Sequence, residues 1–373
     1  MDYIHALIDG SNGDAIPPLD GPLTPNDRLD AWEELIGPIK QPADVISTCD
    51  GAGLIYNDGA ELYLWRNGDT LLLHEFTAPV MALTRSPMGS IVIACASGLC
   101  YRGAFAGATE RNFTIEETVE IPHLAGATSL MCENEDGAYL TIGSATHAGE
   151  KWIDDLLLGG ESGEIGYWRF GQGYQTLCSG LRYPAGIAHL DGTDDYWVSE
   201  SWEHRILVLR GGSGGLRRAG CLLSNLSGYP GRLARVAGGY WLSIWALRTQ
   251  LFEFVLEEKN YKNRMMQECP RELWIRPALA SGLSNLEPLQ YGNVRALGIE
   301  KPWAPPRSYG LLVRINNEGE VVESLHSRAG GRFHGLGTAE MLGNRLVVLA
   351  RGARCIAIAP SDGDSQNQRL KTN

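Results

Sequence analysis

From Asp50 onward, apolar and polar residues alternate in short runs broken by Gly, Asn and Asp, the period of half-buried strands. "GLIYNDGAELYLW" (residues 53–65) holds two such runs joined by Asn57, Asp58 and Gly59, a hairpin signal. The same grammar returns in residues 80–103, 128–144, 182–215, 228–256 and 334–359. The phrases at 182–215 and 228–256 are near copies: a Tyr-Pro, an alternating run, a turn, then a run containing Trp. One hairpin per phrase makes six units, whose first strands are expected near residues 53, 80, 128, 186, 232 and 335. Units of roughly 40 to 50 residues with about four strands each are the signature of propeller blades. A single blade cannot cover both faces of its sheet, so blades pack radially and close into a ring. The pattern therefore predicts an all-β fold, a six-bladed β-propeller with an N-terminal helical segment and short helical insertions.

Residues 1–45 break the pattern. "LTPNDRLDAWEELIGPIKQP" predicts a short helix packed on the propeller, with Thr24 as N-cap, Pro25 at its first position, Asp27 closing a capping box, and Gly37-Pro38 as the stop. Residues 46–361 are expected to form the propeller and 362–373 a polar tail. Two insertions carry helical patterns, one around residues 152–158 and one over 265–274. The second continues into a long Pro- and Gly-rich stretch of the kind that roofs a site.

Charge narrows the partners. With 32 Lys and Arg against 44 Asp and Glu, the net charge is -12, and no basic stripe is visible. That argues against nucleic acid and against an anionic membrane surface. No apolar run reaches the roughly 20 residues of a membrane-spanning helix, and the start lacks a basic-then-apolar leader. The eight cysteines are scattered without a C-x-x-C pair, so they read as reduced core thiols of a cytoplasmic protein, with neither zinc nor a disulfide framework. "RGGSGGLRR" has no Walker pattern and no following helix, so no phosphate loop or cofactor is expected. The partner is expected to be a small-molecule substrate.

Several phrases carry a resemblance. "RYPAGIAHLDGTDDYWVSESWEHRILVLRG" resembles the fourth-blade phrase of strictosidine-synthase-like proteins. "LSGYPGRLARVAGGYWLSIW" is similar to their fifth-blade phrase, and "WIDDLLLGGESGEIGYWRF" to their third-blade helix and strand. The likeness runs over residues 49–359, and the superfamily also contains gluconolactonase and regucalcin-like hydrolases. It implies a small-molecule pocket at one end of the channel, lined by starts of innermost strands and by loops after second strands. It also implies where to look for a metal. The hydrolase branch holds a divalent cation with a Glu, two Asn and an Asp at strand starts, hard oxygen donors. The matching positions here are Ala52, Thr128, Ala185 and Gly231. They offer almost nothing to hold an ion that polarises an ester or activates water, so no metal site is expected. The plant condensing enzymes use a glutamate near the start of the last inner strand, and residues 334–337 contain no carboxylate.

The remaining candidates are individual side chains. His334 in "GGRFHGLG" is read as a general acid or base at a strand start, or as a tie at blade closure. Glu200 looks into the pocket or pairs internally with Arg205. Asp50 is a carboxylate at the first inner strand or a turn residue before Gly51. His147 lies in a loop on the pocket side. Tyr183, Trp202, Tyr229 and Trp245 offer an aromatic wall, whereas Trp197 and Trp241 read as packing and His189 and His204 as structural. Arg332, Arg351 and Arg354 are candidates to hold a substrate carboxylate bidentately or merely to offset an acidic surface, and Arg232, also a candidate for substrate binding, would repel a cation. Three functions are thus open: a metal-independent acid–base enzyme, which is the expectation; a metal-dependent lactonase or esterase; and a non-catalytic ligand-binding propeller.

Overall fold

Six four-stranded antiparallel sheets realise the alternation, and their innermost strands contact one another in sequence until the sixth meets the first. The computed structural model describes residues 16–105, 112–212, 214–281, 294–296, 299–301 and 308–361. Blade 1 runs Val45–Ser47, Gly53–Asp58, Glu61–Arg66, Asp69–Glu75, and blade 2 runs Val80–Arg85, Ile91–Cys95, Leu99–Phe105, Phe113–Glu120. Blade 3 is Ala127–Met131, Gly137–Ile142, Gly163–Arg169, Gly173–Leu181, and blade 4 is Pro184–His189, Asp195–Glu200, Arg205–Gly212, Gly215–Leu223. Blade 5 is Gly228–Val236, Gly239–Leu247, Gly310–Ile315, Val321–Ser327. Blade 6 is Leu336–Leu342, Arg345–Ala350, Cys355–Ile358, and its fourth strand is Glu33–Ile36 from the other end of the chain.

That last pairing corrects the expected N-terminal helix. Only a 3-10 turn, Leu29–Ala31, forms there, and Glu33–Ile36 pairs antiparallel with Cys355–Ile358. Asp27, expected in a capping box, pairs instead with Arg328, and Asp30 accepts hydrogen bonds from Ser327 Oγ (2.6 Å) and the Arg332 N–H (2.8 Å). A three-stranded last blade would leave an open edge, and covering it outweighs local capping signals. The first inner strand is also corrected. Gly53–Asp58 is the second strand of blade 1; the first is the three-residue Val45–Ser47.

The helices sit between second and third strands. α1, Trp152–Leu158, lies in blade 3 where expected. In blade 5, α2, Gln250–Glu257, starts on Thr249, whose Oγ1 accepts the Phe252 N–H, and α3 is Lys259–Glu268. The helix expected over 265–274 thus starts earlier and stops at Glu268, with Pro270 opening a 3-10 turn over Arg271–Leu273. Most of the Pro- and Gly-rich stretch and the polar tail lie outside the described residues.

Cores lie between blades. Ile55, Leu62 and Ile93 fill the space between blades 1 and 2, and Trp168 and Leu140 that between 2 and 3. Trp197 packs on Tyr240 between 4 and 5, its ring centroid 4.7 Å away. A further cluster caps one face, where Trp202, Tyr229 and Phe252 join α1 to α2. All eight cysteines are free thiols, and among the described residues no helix is long and apolar enough to cross a membrane.

Candidate functional site

The upper face of the ring is where inner strands begin and second strands end. Near it, Arg232 reaches across the channel from the inner strand of blade 5. Its Nε donates to the Thr128 carbonyl (2.8 Å), Nη1 to Thr338 Oγ1 (2.7 Å) and Nη2 to the Met81 carbonyl (3.1 Å). Nη1 also pairs with Asp44, whose carboxylate is 2% exposed and further accepts the Val45 and Leu83 N–H groups and the Thr338 hydroxyl. Blades 1, 2, 3, 5 and 6 therefore meet on one guanidinium. Breaking a buried pair of this kind leaves an uncompensated charge, a loss of about 3–5 kcal/mol.

This knot decides the metal question raised by the resemblance. With the first inner strand at Val45, the blade 1 position is Asp44 rather than Ala52. Asp44 already holds a cation, Arg232. Thr128 spends its hydroxyl on the Pro184 carbonyl (2.6 Å), and Ala185 and Gly231 have no donor. Among the described residues no three His, Cys, Asp or Glu converge as a metal set. The residues do not fit a divalent cation.

Above the knot, three side chains lean over bare glycines. A Cβ on Gly143 would stand 2.7 Å from the Tyr183 ring, one on Gly231 3.5 Å from Trp245 Cδ1, and one on Gly337 3.2 Å from Arg351 Cδ. Tyr183, at φ 60°, stacks on Trp202 with centroids 4.1 Å apart, and Trp245 meets Trp152 edge-on at 5.3 Å. Burial pushes the Tyr183 phenol up to about 12. Arg351 is open to solvent yet ringed by protein: desolvation first, then the Arg232 charge, lowers its pKa. Its guanidinium has no hydrogen-bond or ion-pair partner among the described residues.

His147 borders the same mouth. Its Nδ1 lies 3.0 Å from Thr146 Oγ1 and 3.4 Å from Asp155 Oδ1. Asp155, on α1 and 1% exposed, accepts from Ser144 Oγ (2.6 Å) and Trp202 Nε1 (2.8 Å). The Asp155 carboxylate lies within ion-pair distance of Nδ1, and Nε2 has no partner among the described residues; with the proton on Nδ1, Nε2 is a proton acceptor.

Below the knot the channel widens to a cavity of about 490 Å³. Four carboxylates, Asp44, Glu133, Asp191 and Glu340, and two guanidiniums, Arg232 and Arg235, line it. Most of these groups are committed: Arg235 to Asp191, Glu133 to His189 Nδ1 (3.3 Å), and His189 Nε2 to the Thr193 carbonyl (2.8 Å). Burial raises the Glu340 pKa, although the carboxylate accepts the Met341 N–H (2.8 Å).

The structure gathers Tyr183, Trp202, Tyr229, Trp245, His147, Arg232 and Arg351 at the upper end, with Tyr229 fully buried behind Trp245, and places the other expected site residues elsewhere. Asp50 sits in the turn after the first inner strand, at the lower face, where Arg66 holds its carboxyl well below the usual range. Glu200 is fully buried, accepting the Arg182 N–H (2.8 Å) and Arg205 Nε (2.6 Å). His334 faces a side recess of about 280 Å³, its Nδ1 2.7 Å from Ser308 Oγ and its Nε2 2.8 Å from the Arg328 carbonyl. Both nitrogens are spent on joining blades 5 and 6. Arg332 lies over the Phe333 ring at 4.9 Å, away from the axis. Sequence reasoning missed Asp44, Asp155 and Thr338. Asp44 stands just before the apolar "VIS", and Asp155 in the first turn of α1, the two faint signals available.

No family model matches the chain, and no curated protein matches it in sequence. Solved structures do match in fold. A luciferin-regenerating enzyme is similar at TM-score 0.57 and 10% identity, over 89% of this chain and 96% of that one. Regucalcin, a calcium-binding protein from Agrobacterium tumefaciens, gives 0.54 and 11%, over 88% and 93%. A gluconolactonase from Xanthomonas campestris gives 0.53 and 13%, over 92% and 99%. At these identities the likeness is one of fold.

Proposed function

We propose that the chain is a metal-independent acid–base enzyme of strictosidine-synthase-like build, acting on a small organic molecule at the upper mouth of its propeller. The observation that carries this reading is His147, set beside the buried Asp155 and offering an Nε2 with no partner among the described residues, near the aromatic wall. A hydrolytic step suits the arrangement. Nε2 takes a proton from water, the hydroxyl oxygen adds to an acyl carbon, and the same proton returns to the departing alkoxide as the C–O bond breaks. Arg232 supplies fixed positive charge on the axis, beside the inner-strand positions at which the resemblance implies looking for a metal. The plant-type condensation is not carried over, because residues 334–337 have no carboxylate.

A panel of small esters and lactones, assayed with excess chelator and with elemental analysis of the purified protein, tests the reading. Turnover that persists in chelator and falls about 100-fold or more in His147→Ala supports it. A stoichiometric divalent ion whose removal abolishes turnover overturns it. Ligand binding with no turnover across the panel favours a non-catalytic propeller instead.

A further inference from the structure

We infer that the upper mouth takes a small carboxylic acid with a planar apolar body, its carboxylate held by Arg351 and its body against Tyr183 and Trp245. The inference rests on the reading of this mouth as the site and names the class of acid product that hydrolysis of an ester there releases. It starts from a charge without a counter-charge. Arg232 is neutralised by Asp44, but Arg351 stands over Gly337 with no acidic partner among the described residues. Two guanidiniums at one mouth repel each other, so the mouth favours a bound anion. The guanidinium presents a planar fork of donors, the shape that a carboxylate accepts in two parallel bonds.

The surroundings choose among anions. One unpaired guanidinium at the mouth, among the described residues, matches a monoanion better than a phosphate chain. On the same face are ring surfaces: Tyr183 stacked on Trp202, and Trp245 against Trp152 and Tyr229. Such walls hold a flat apolar body. The glycines at 143, 231 and 337 matter here, because a side chain at any of them would collide with Tyr183 or crowd Trp245 or Arg351. The net charge of -12 makes this cationic mouth a local exception, and an anion approaching elsewhere is repelled.

Calorimetric titration with phenylacetate, benzyl alcohol and inorganic phosphate tests the inference on the full chain. Phenylacetate is expected to bind wild type, to weaken about tenfold to 100-fold in Arg351→Met, and to recover partly in Arg351→Lys. Benzyl alcohol is expected to bind more weakly than phenylacetate and to ignore the Arg351 variants. Thermal melts of both variants check that they fold; should Arg351→Met fail, Arg351→Gln replaces it. Equal phenylacetate affinity in wild type and Arg351→Met overturns the inference, as does phosphate binding in preference to phenylacetate. His147→Ala separates the two levels. If it keeps turnover while Arg351→Met loses phenylacetate, the catalytic reading fails and the anion site stands. If it loses turnover while Arg351→Met binds phenylacetate normally, the reverse holds.

Discussion

Above Arg232 the channel presents, among the described residues, an unpaired cation, an unpartnered imidazole nitrogen and aromatic rings; below it lies a cavity whose lining includes four carboxylates. The lower half has the larger inventory of titratable groups, yet it is the poorer place for proton transfer. Both nitrogens of His189 are engaged, Asp191 is tied to Arg235, and Glu340 accepts a backbone N–H. In the upper half, His147 has one nitrogen beside Asp155 and one left over, and Arg351 has no partner at all among the described residues. Proximity of titratable groups does not make a site; uncommitted valence does.

The sharpest way to break this contrast is to remove the wall between the halves. Arg232→Met leaves Asp44 buried with no cation, and a loss of about 3–5 kcal/mol in urea-derived stability is expected. A change under about 1 kcal/mol means the knot is not what holds the inner strands. The double variant Asp44→Asn with Arg232→Met is expected to recover part of the loss, because no charge is then left unpaired.

Next in size is the pairing of His147→Ala with Glu340→Gln. The first is expected to lower kcat about 100-fold or more, the second to change it less than twofold. Comparable losses in both would move the chemistry into the lower cavity. The smallest effect concerns His204, outside both halves, whose pKa burial and then Arg248 lower to about 3. The unfolded chain takes up a proton near pH 6.5 that the folded chain refuses until about pH 3, so this residue erodes stability as pH falls through that window. His204→Asn, chosen because position 204 is left-handed at φ 49°, is expected to flatten the pH dependence of the urea midpoint between pH 6.5 and 4. An unchanged slope would assign the acid sensitivity to other groups.

Much of the architecture was legible because alternation and turn chemistry are local. Four of the six inner strands, starting at Val80, Ala127, Pro184 and Leu336, begin within two residues of the expected 80, 128, 186 and 335, while Gly228–Val236 begins four residues before 232. Blade 1 is the exception: Val45–Ser47 is too short to show a period, so the hairpin after it carries the stronger signal of an inner pair. The N-terminal segment misled for the opposite reason. Its helix-start residues are sound locally, but Leu35 and Ile36 are needed against the core between blades 6 and 1. The aromatic wall and Arg351 were readable from repeat phase, whereas Asp155 looked like any acidic residue in a first helical turn.

The sequence by itself determined the sheets, since period-two alternation and Gly- or Asn-bearing turns act between neighbours along the chain. Tertiary structure alone decided which groups meet on the axis. Asp44 and Arg232 lie far apart in sequence, and only ring closure, completed by Glu33–Ile36 on the last blade, brings them together. Once they meet, each neutralises the other, and that non-local pairing determines which remaining side chains are left free to act.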